Sequence, residues 1–279
     1  MKKLLALLLA GLMLVSLAAC GDNEDNGEDL HDYLQTDEVV ESVTIGSDTF
    51  YIEAIDTETV AITKYQGSDA WHALTIPDTL DNKTVVEIAD EAFKNCTSIT
   101  SVAFPATLEK IGDYAFAGCL ALATMEIPAG VESIGVGAFT GCTSLKTFTL
   151  ADDVKMTKIA KNTFNGCVAL ESFATKGAIK TIEAGAFFGC VALKSVTLAD
   201  GVETIGAQAF QNCKALDTLT VPASLTTFET VKVGLVDEHM VFAGCTALYL
   251  DGITAPAGSA AETYFKDTLG LAQSAPAQE

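Results

Sequence analysis

Apolar residues of this chain return in one repeated phrase, in which a Phe stands three residues before a Cys. The phrase reads Ile-Gly-Asp-Tyr-Ala-Phe-Ala-Gly-Cys at 111–119 and Ile-Gly-Val-Gly-Ala-Phe-Thr-Gly-Cys at 134–142. Successive copies lie 23, 23, 25, 23, 23 and 32 residues apart and end at Cys96, Cys119, Cys142, Cys167, Cys190, Cys213 and Cys245. A period in this range is typical of a solenoid, in which coils of chain stack on one another.

The apolar positions within each unit predict two walls of a coil. After the Cys, apolar residues alternate with small polar ones, as at Val196 and Leu198. This alternation predicts a short β-strand with its apolar side chains inward. A second apolar pair at a spacing of three, such as Val202 and Ile205, predicts the other wall, and Gly206 is expected to permit the following turn. Because one coil cannot bury its apolar face alone, stability must come from stacking.

The N-terminal end of the stack needs a cover over its open core. Alternating apolar residues, beginning with Phe50 and Ile52, predict a β-hairpin cap over residues 43–73, with its turn at 56–58. Trp71 is expected to share the strand positions of the first coil with Leu74 and Ile76.

The C-terminal end of the stack is predicted to be closed by a helix. The repeats are assigned to residues 74–250, and the cap with a frayed tail to 251–279. Ser259 and Glu262 have the spacing of a capping box, which opens a short helix.

Residues 226–240 form the only long insertion, about nine residues beyond the period. Insertions in repeat proteins map to loops, which often lie on a binding face, but surface loops also tolerate added length at little cost. The candidate binding residues of this loop are Glu229, Lys232, Asp237, Glu238 and His239.

Residues 1–19 have the pattern of a signal peptide. Lys2 and Lys3 precede an apolar run that is too short to span a membrane. The run ends in Leu-Ala-Ala-Cys20, which resembles a bacterial lipobox and implies cleavage before a lipidated Cys20. The alternative is an ordinary secretory signal with a chance cysteine.

Residues 20–42 are predicted to be a disordered tether behind this cysteine. Nine acidic residues and no Lys or Arg fall between Asp22 and Glu41. The tether is either a solvated spacer or, in addition, a sorting signal to an outer surface.

Charge argues against nucleic acid as a partner. The chain carries a formal net charge of −21 and contains no Arg. It therefore lacks both the positive field and the guanidinium groups with which proteins hold phosphate.

Neither catalysis nor a cofactor is indicated by the remaining chemistry. The three histidines, His31, His72 and His239, belong to no recognisable triad or metal motif. The seven repeat cysteines form a line, whereas a zinc site converges four ligands on a point. Buried free thiols are the favoured reading over disulfides or metal, because parallel Cβ vectors do not face each other.

The outward strand positions are the best candidate binding face. They form a flat surface rich in hydroxyls and poor in charge, although Thr also suits exposed strands without any ligand. These candidates are Ser101, Thr124, Glu126, Thr147, Thr149, Ser172, Ser195, Thr197, Thr218 and Thr220.

The extended phrase Ile-Gly-x-x-Ala-Phe-x-x-Cys-x-x-Leu-x-x-Val-x-Ile-Pro resembles the BspA-type leucine-rich repeat of bacterial surface proteins, over about residues 50–265. The resemblance implies a mainly β, leucine-rich-repeat-like solenoid of about seven coils, with a parallel sheet of short strands on one face. It also implies adhesion or binding without enzymatic activity.

These observations together predict a lipid-anchored protein of the bacterial cell envelope, exposed at the surface and monomeric. Its expected partner is a protein or glycan outside the cell, and its only expected membrane contact is the N-terminal lipid. The alternative function is an envelope scaffold that has no external ligand.

Overall fold

The computed structural model describes residues 41–233, 236–271 and 273, all within one compact unit that spans residues 40–279. The predicted signal peptide, Cys20 and the tether up to residue 40 lie outside the described residues.

An antiparallel meander of three strands forms the N-terminal cap. Its strands are β1 (Glu41–Ile45), β2 (Asp48–Ala54) and β3 (Thr59–Gln66). The predicted hairpin is β2 and β3, and β1 adds a third strand. Asp56 closes the turn, because its Oδ1 accepts hydrogen bonds from the backbone N–H groups of Glu58 and Thr59, both at 2.8 Å.

Short strands continue from this cap along the rest of the chain. In order they are β4 (His72–Thr75), β5 (Thr79–Leu80), β6 (Lys83–Ile88), β7 (Ile99–Ala103), β8 (Lys110–Ile111), β9 (Thr124–Ile127), β10 (Ser133–Ile134), β11 (Thr147–Leu150), β12 (Lys158–Ile159), β13 (Ser172–Ala174), β14 (Thr181–Ile182), β15 (Ser195–Thr197), β16 (Thr204–Ile205), β17 (Thr218–Thr220), β18 (Thr227–Phe228), β19 (Val231–Val233), β20 (Val236–Glu238) and β21 (Ile253–Thr254).

Parallel pairing arranges most of these strands in two ladders, which are the two predicted walls, whereas β5 pairs antiparallel with β6 and β19 with β20. The first ladder has the order β4-β7-β9-β11 and then β13-β15-β17-β21. The second has the order β3-β6-β8-β10 and then β12-β14-β16-β18. The predicted mainly β solenoid is therefore confirmed.

Both strand ladders are interrupted at the same step, which is the 25-residue step from Cys142 to Cys167. The inner positions of β11 and β13 there hold Phe148 and Phe173, whose ring centroids are 6.3 Å apart. Neighbouring strands hold smaller side chains, such as Val196 in β15. The interruption thus coincides with these two rings and with the two additional residues of this step.

A third set of hydrogen bonds, which we call the turn ladder, runs along the Ala-Phe segments without this interruption. Its segments are 91–95, 114–118, 137–141, 162–166, 185–189, 208–212 and 241–245. At the 25-residue step, the N–H groups of Gly137, Phe139 and Gly141 still donate to the next coil, at 2.9, 2.9 and 2.8 Å. The turn ladder therefore holds the coils in register where the strands do not.

The phenylalanines of the phrase stack beneath the turn ladder in one column. Phe93, Phe116, Phe139, Phe164, Phe187 and Phe210 are each 0% exposed. Successive ring centroids from Phe93 to Phe210 lie 4.9 to 5.8 Å apart, with nearly parallel rings. Tyr65 of the N-terminal cap stacks on Phe93, and Phe265 of the C-terminal cap packs on Phe242. The caps thus complete the column at both ends.

Gly206 serves close packing and does not have a left-handed backbone, which refines the expectation that it permits the turn. A Cβ on Gly206 would lie 2.4 Å from the backbone nitrogen of Ala184 in the preceding coil. The left-handed backbone instead occurs two residues later, at Gln208 with φ of 58°.

Trp71 is also placed differently from the expectation. It precedes β4 and is 79% exposed, whereas Leu74 and Ile76 are buried in the core. Leu74 therefore lies in the strand of the first coil and Ile76 directly follows it, whereas Trp71 lies outside the strand.

A short helix closes the C-terminal end as predicted. It begins as α1 (Ala260–Thr263) and continues as a π-helical turn (Tyr264–Thr268), after a 3₁₀ turn at Leu250–Gly252. Ser259 Oγ accepts from the N–H of Glu262 at 3.1 Å, and Glu262 reaches back to the N–H of Gly258 at 2.6 Å. Over the described ranges, no helix has the length and apolar character needed to cross a membrane.

The repeat cysteines line the core as free thiols that bond to the neighbouring coil. Cys142 Sγ donates to the carbonyl oxygen of Phe116 at 3.1 Å, and the same oxygen accepts the N–H of Cys119 at 3.2 Å. The pattern recurs at Cys119, Cys167, Cys190, Cys213 and Cys245. Burial raises the pKa of the Cys142 thiol to about 12, which keeps it protonated and unreactive at neutral pH.

We expect Phe164→Ala to lower the free energy of unfolding by about 3–5 kcal/mol, because it removes a buried ring from the middle of the column. Tyr249→Ala, which truncates an exposed aromatic residue, should change it by less than about 0.5 kcal/mol. Urea denaturation of both variants measures the difference. If both variants lowered the free energy of unfolding by the same amount, the Phe column would not have the structural importance that we infer.

Stability should also fall as the pH rises from about 9 toward 12. In this window an unfolded thiol has lost its proton while the folded Cys142 thiol keeps it, so the unfolded state binds fewer protons. Each such thiol contributes a slope of about 1.4 kcal/mol per pH unit. Cys142→Ala should therefore show a shallower decrease than the unmodified chain in denaturation at successive pH values. An unchanged slope would contradict the burial of this thiol.

Candidate functional site

The candidate face is built from the outward residues of the first ladder. Pairing in register places Thr147 beside Thr124 and Thr124 beside Ser101, and it places Thr149 beside Glu126. The alternation in each strand turns the residues between them inward, where Met125 and Phe148 are buried. The candidates therefore stand in two columns, one residue of each column on every coil.

The same two columns continue beyond the interruption. Ser195 lies between Ser172 and Thr218, and Thr197 lies between Ala174 and Thr220. The structure thus brings together all ten predicted face residues on one wall, but in two blocks of strands that meet at β11 and β13.

A depression of about 480 Å³ lies on the first block of this face. Its lining includes Thr124, Glu126, Thr147 and Thr149 from the columns. Phe104 also lines it, and sequence reasoning did not identify this residue, because its strand position usually holds a core side chain. Its ring packs edge-on against that of Phe116, with 5.7 Å between the ring centroids. The side chain is only half-buried, so part of its apolar surface is exposed in the depression.

A second depression, of about 340 Å³, lies where the two blocks meet. Thr149, Ser172, Ser195 and Thr197 are among its lining residues. The face therefore has a second concave region at its middle, where β11 and β13 do not pair.

The face carries little charge. Glu126 is the only ionisable residue among the ten face candidates. The nearest cationic residue in either depression is Lys176, which is paired with Asp152 at 2.7 Å. Such a surface offers hydroxyl groups for hydrogen bonding and has no array of cations for an anionic ligand.

The insertion lies apart from these columns, because it leaves the solenoid after β18 of the second ladder. β19 and β20 form an antiparallel hairpin in which the backbones of Lys232 and Asp237 are opposite each other. Glu229 accepts the N–H of Ala207 at 3.3 Å, and the His239 ring lies 5.5 Å from that of Tyr264. Glu238 is half-buried. The two sets of candidate residues therefore do not form one site.

A polar cluster near the N-terminal cap was not identified from the sequence. The Tyr65 hydroxyl donates to Asp48 Oδ1 at 2.6 Å and lies 3.0 Å from His72 Nε2. Burial and the hydrogen bond to Asp48 raise the pKa of Tyr65, so its hydroxyl stays protonated. His72 Nδ1 donates to the carbonyl oxygen of Ala70 at 2.8 Å. These bonds fix the segment that carries the exposed Trp71. The three side chains are far apart in sequence, so no short motif signals them.

Metal binding has no assembled donor set in the part of the chain that is described. No group of three or more His, Cys, Asp or Glu side chains is placed to hold an ion there. The cysteines stand one per coil, as their spacing predicted.

Comparison with solved structures shows similar solenoids. A leucine-rich repeat protein from Eubacterium ventriosum is 29% identical with a TM-score of 0.53, over 63% of this chain. This chain covers only 48% of the length of that protein. The leucine-rich repeat protein of T. pallidum is 27% identical with a TM-score of 0.46, over 60% of this chain and 87% of its own length.

Comparison with protein families identifies the repeat itself. No functionally curated protein matches the chain. The family described as "BspA type Leucine rich repeat region" matches residues 64–158 and 157–232, in six copies. These two ranges make up more than half of the chain, and they contain strands β4 to β18 and six of the seven Ala-Phe segments. The chain belongs to the BspA-type leucine-rich repeat family.

Proposed function

We propose that this chain is a non-enzymatic binding protein of the bacterial cell surface, which holds a protein or glycan partner through the outward columns of the first ladder. The observation that supports this most directly is the depression of about 480 Å³ among aligned, nearly uncharged hydroxyl residues. Ligand sites are concave and combine apolar surface with a few polar groups. Phe104 and Pro128 supply the apolar part here, and the threonines supply the hydroxyls.

Binding without catalysis fits the chemistry of this face. Catalytic sites generally combine titratable groups whose pKa values are perturbed. Glu126 is the only ionisable side chain in the columns, so no partner for acid–base chemistry stands beside it there. No cofactor is required for such a role.

The proposed location follows from the N-terminal sequence. Cys20 is the lipidation site in this proposal, residues 1–19 are the signal peptide, and residues 20–42 are the acidic tether. A single lipid-modified terminus anchors the chain without a spanning helix. The net charge of −21 leaves nucleic acid outside the proposed partners.

We expect a double variant, Thr147→Lys with Thr197→Lys, to lose at least about tenfold in affinity for a captured partner. The two long cations would occupy the depressions of both blocks, while the exposed strand positions tolerate the change with less than about 1 kcal/mol in stability. The full chain in mild detergent would be tested against matrix proteins, mucin and neutral polysaccharides by pull-down and titration.

The matched control is Ser133→Lys with Thr157→Lys, which places the same charges at exposed positions on or beside the second ladder and outside the insertion. This control should bind as the unmodified chain does. If both double variants bind the partner as tightly as the unmodified chain does, the site would instead be the insertion at 226–240. An absence of capture by any of the three chains would favour the envelope scaffold instead.

A further inference from the structure

Trp71 is the most exposed large apolar side chain within the described ranges, at 79%. It is also the only Trp in the chain. An indole buries a large area when it packs and its N–H then needs a partner, which is why Trp is enriched where proteins meet ligands. No aromatic ring in the described part of the chain packs against Trp71. Its exposure therefore calls for an explanation other than core packing.

The backbone on both sides of Trp71 is held rigidly. On the preceding side, the N–H of Ala70 donates to Ser68 Oγ at 3.1 Å, and Ser98 Oγ donates to the carbonyl oxygen of Ser68 at 2.7 Å. On the following side, the N–H of His72 donates to the carbonyl oxygen of Ser98 at 3.1 Å.

The His72 ring adds a further restraint, because its Nδ1 donates to the carbonyl oxygen of Ala70 and its Nε2 lies 3.0 Å from the Tyr65 hydroxyl. Because the backbone is already fixed, binding at Trp71 has to order only its side chain and not the loop that carries it.

Trp71 stands at the N-terminal end of the hydroxyl columns. β4 begins one residue later, and its Ala73 and Thr75 pair with Ser101 and Ala103 of β7. Ala73 and Thr75 are thus the first members of the two columns. In an extended chain, Trp71 is about 7 Å from Ala73. β4 pairs with no other strand in the described ranges, so the rim of the face beside Trp71 is not covered by a neighbouring strand.

We propose that Trp71 is the stacking platform of a subsite for a neutral glycan, in which one sugar ring lies on the indole and the following sugars lie along the hydroxyl columns. This inference rests on the proposed function of the face. The apolar C–H surface of a sugar ring matches the indole face, and its hydroxyls match the Ser and Thr side chains of the columns.

The negative charges near Trp71 favour a neutral glycan over an anionic one. Asp69 lies two residues before Trp71 and is exposed, and Glu126 stands in the second column. Carboxylates accept hydrogen bonds from sugar hydroxyls but repel carboxylated or sulfated sugars. A quaternary ammonium ligand is disfavoured, because it is usually held by several aromatic rings and Trp71 has no aromatic neighbour in contact with it in the described structure.

The single Trp allows a direct test. Indole emission of the full chain in mild detergent reports on this position alone. We expect a saturable change in emission with at least one neutral hexasaccharide from a panel built of glucose, mannose, xylose, galactose or N-acetylglucosamine. Hexagalacturonate, which is anionic, should produce no saturable change.

Calorimetric titration of that hexasaccharide then assigns the contribution of the indole. Trp71→Ala should weaken binding at least about tenfold, and Trp71→Phe should lie between this variant and the unmodified chain. Tyr249→Ala, which removes another exposed aromatic residue, should bind normally. Because Trp71 lies outside the core, both variants at this position should fold, which their circular dichroism checks.

The outcomes separate this inference from the proposed function. Hexasaccharide binding that survives Trp71→Ala but is lost in the Thr147→Lys, Thr197→Lys variant overturns the role of Trp71 and leaves the face as the site. Capture of a protein by the face without binding of any neutral hexasaccharide overturns the glycan subsite alone. An absence of all binding overturns both, whereas loss of hexasaccharide binding in both kinds of variant supports both.

Discussion

Every other feature of this molecule depends on the way in which each coil bonds to the next along the Ala-Phe segments. The turn ladder is continuous where both strand ladders are interrupted, and the Phe column lies directly beneath it. A solenoid coil cannot bury its own apolar face, so it needs a neighbour in a defined register. The backbone N–H and C=O groups of the turns set that register, and the stacked rings beneath them supply much of the buried apolar area.

This arrangement explains where the chain tolerates irregularity. Two added residues fall between Cys142 and Cys167, where β11 and β13 do not pair, and the insertion at 226–240 lengthens a later coil. The turn ladder continues across both, since Phe210 donates to the carbonyl oxygen of Val241 at 2.9 Å. Irregular length is thus confined to the walls and returns, and the hydroxyl columns keep one residue per coil on each side of the interruption.

The period and the alternation were sufficient to predict the coils, the two walls, both caps and the inward or outward direction of the face residues. Other features could not be predicted from these patterns. Trp71 is expected among the strand positions of the first coil because a hydrophobic pattern groups a large apolar residue with its apolar neighbours. The interruption of both strand ladders lies at the one 25-residue step, and period alone does not show that pairing stops there. The turn ladder uses backbone groups that every residue except proline possesses, so it leaves no side-chain signal. The cluster around Tyr65 joins residues from three separate segments.

The turn ladder also makes the coils interchangeable. The carbonyl oxygens of Asp113, Ala115 and Ala117 accept hydrogen bonds from the N–H groups of segment 91–95. In the same pattern, the carbonyl oxygens of Val136, Ala138 and Thr140 accept hydrogen bonds from segment 114–118. Loss or duplication of one 23-residue stretch would therefore leave matching edges on both sides of the junction. The gene for such a chain can change the length of its exposed hydroxyl surface by recombination between repeats, without evolving a new packing interface. The number of simultaneous contacts with a repetitive ligand, and hence the avidity, would then scale with the number of coils.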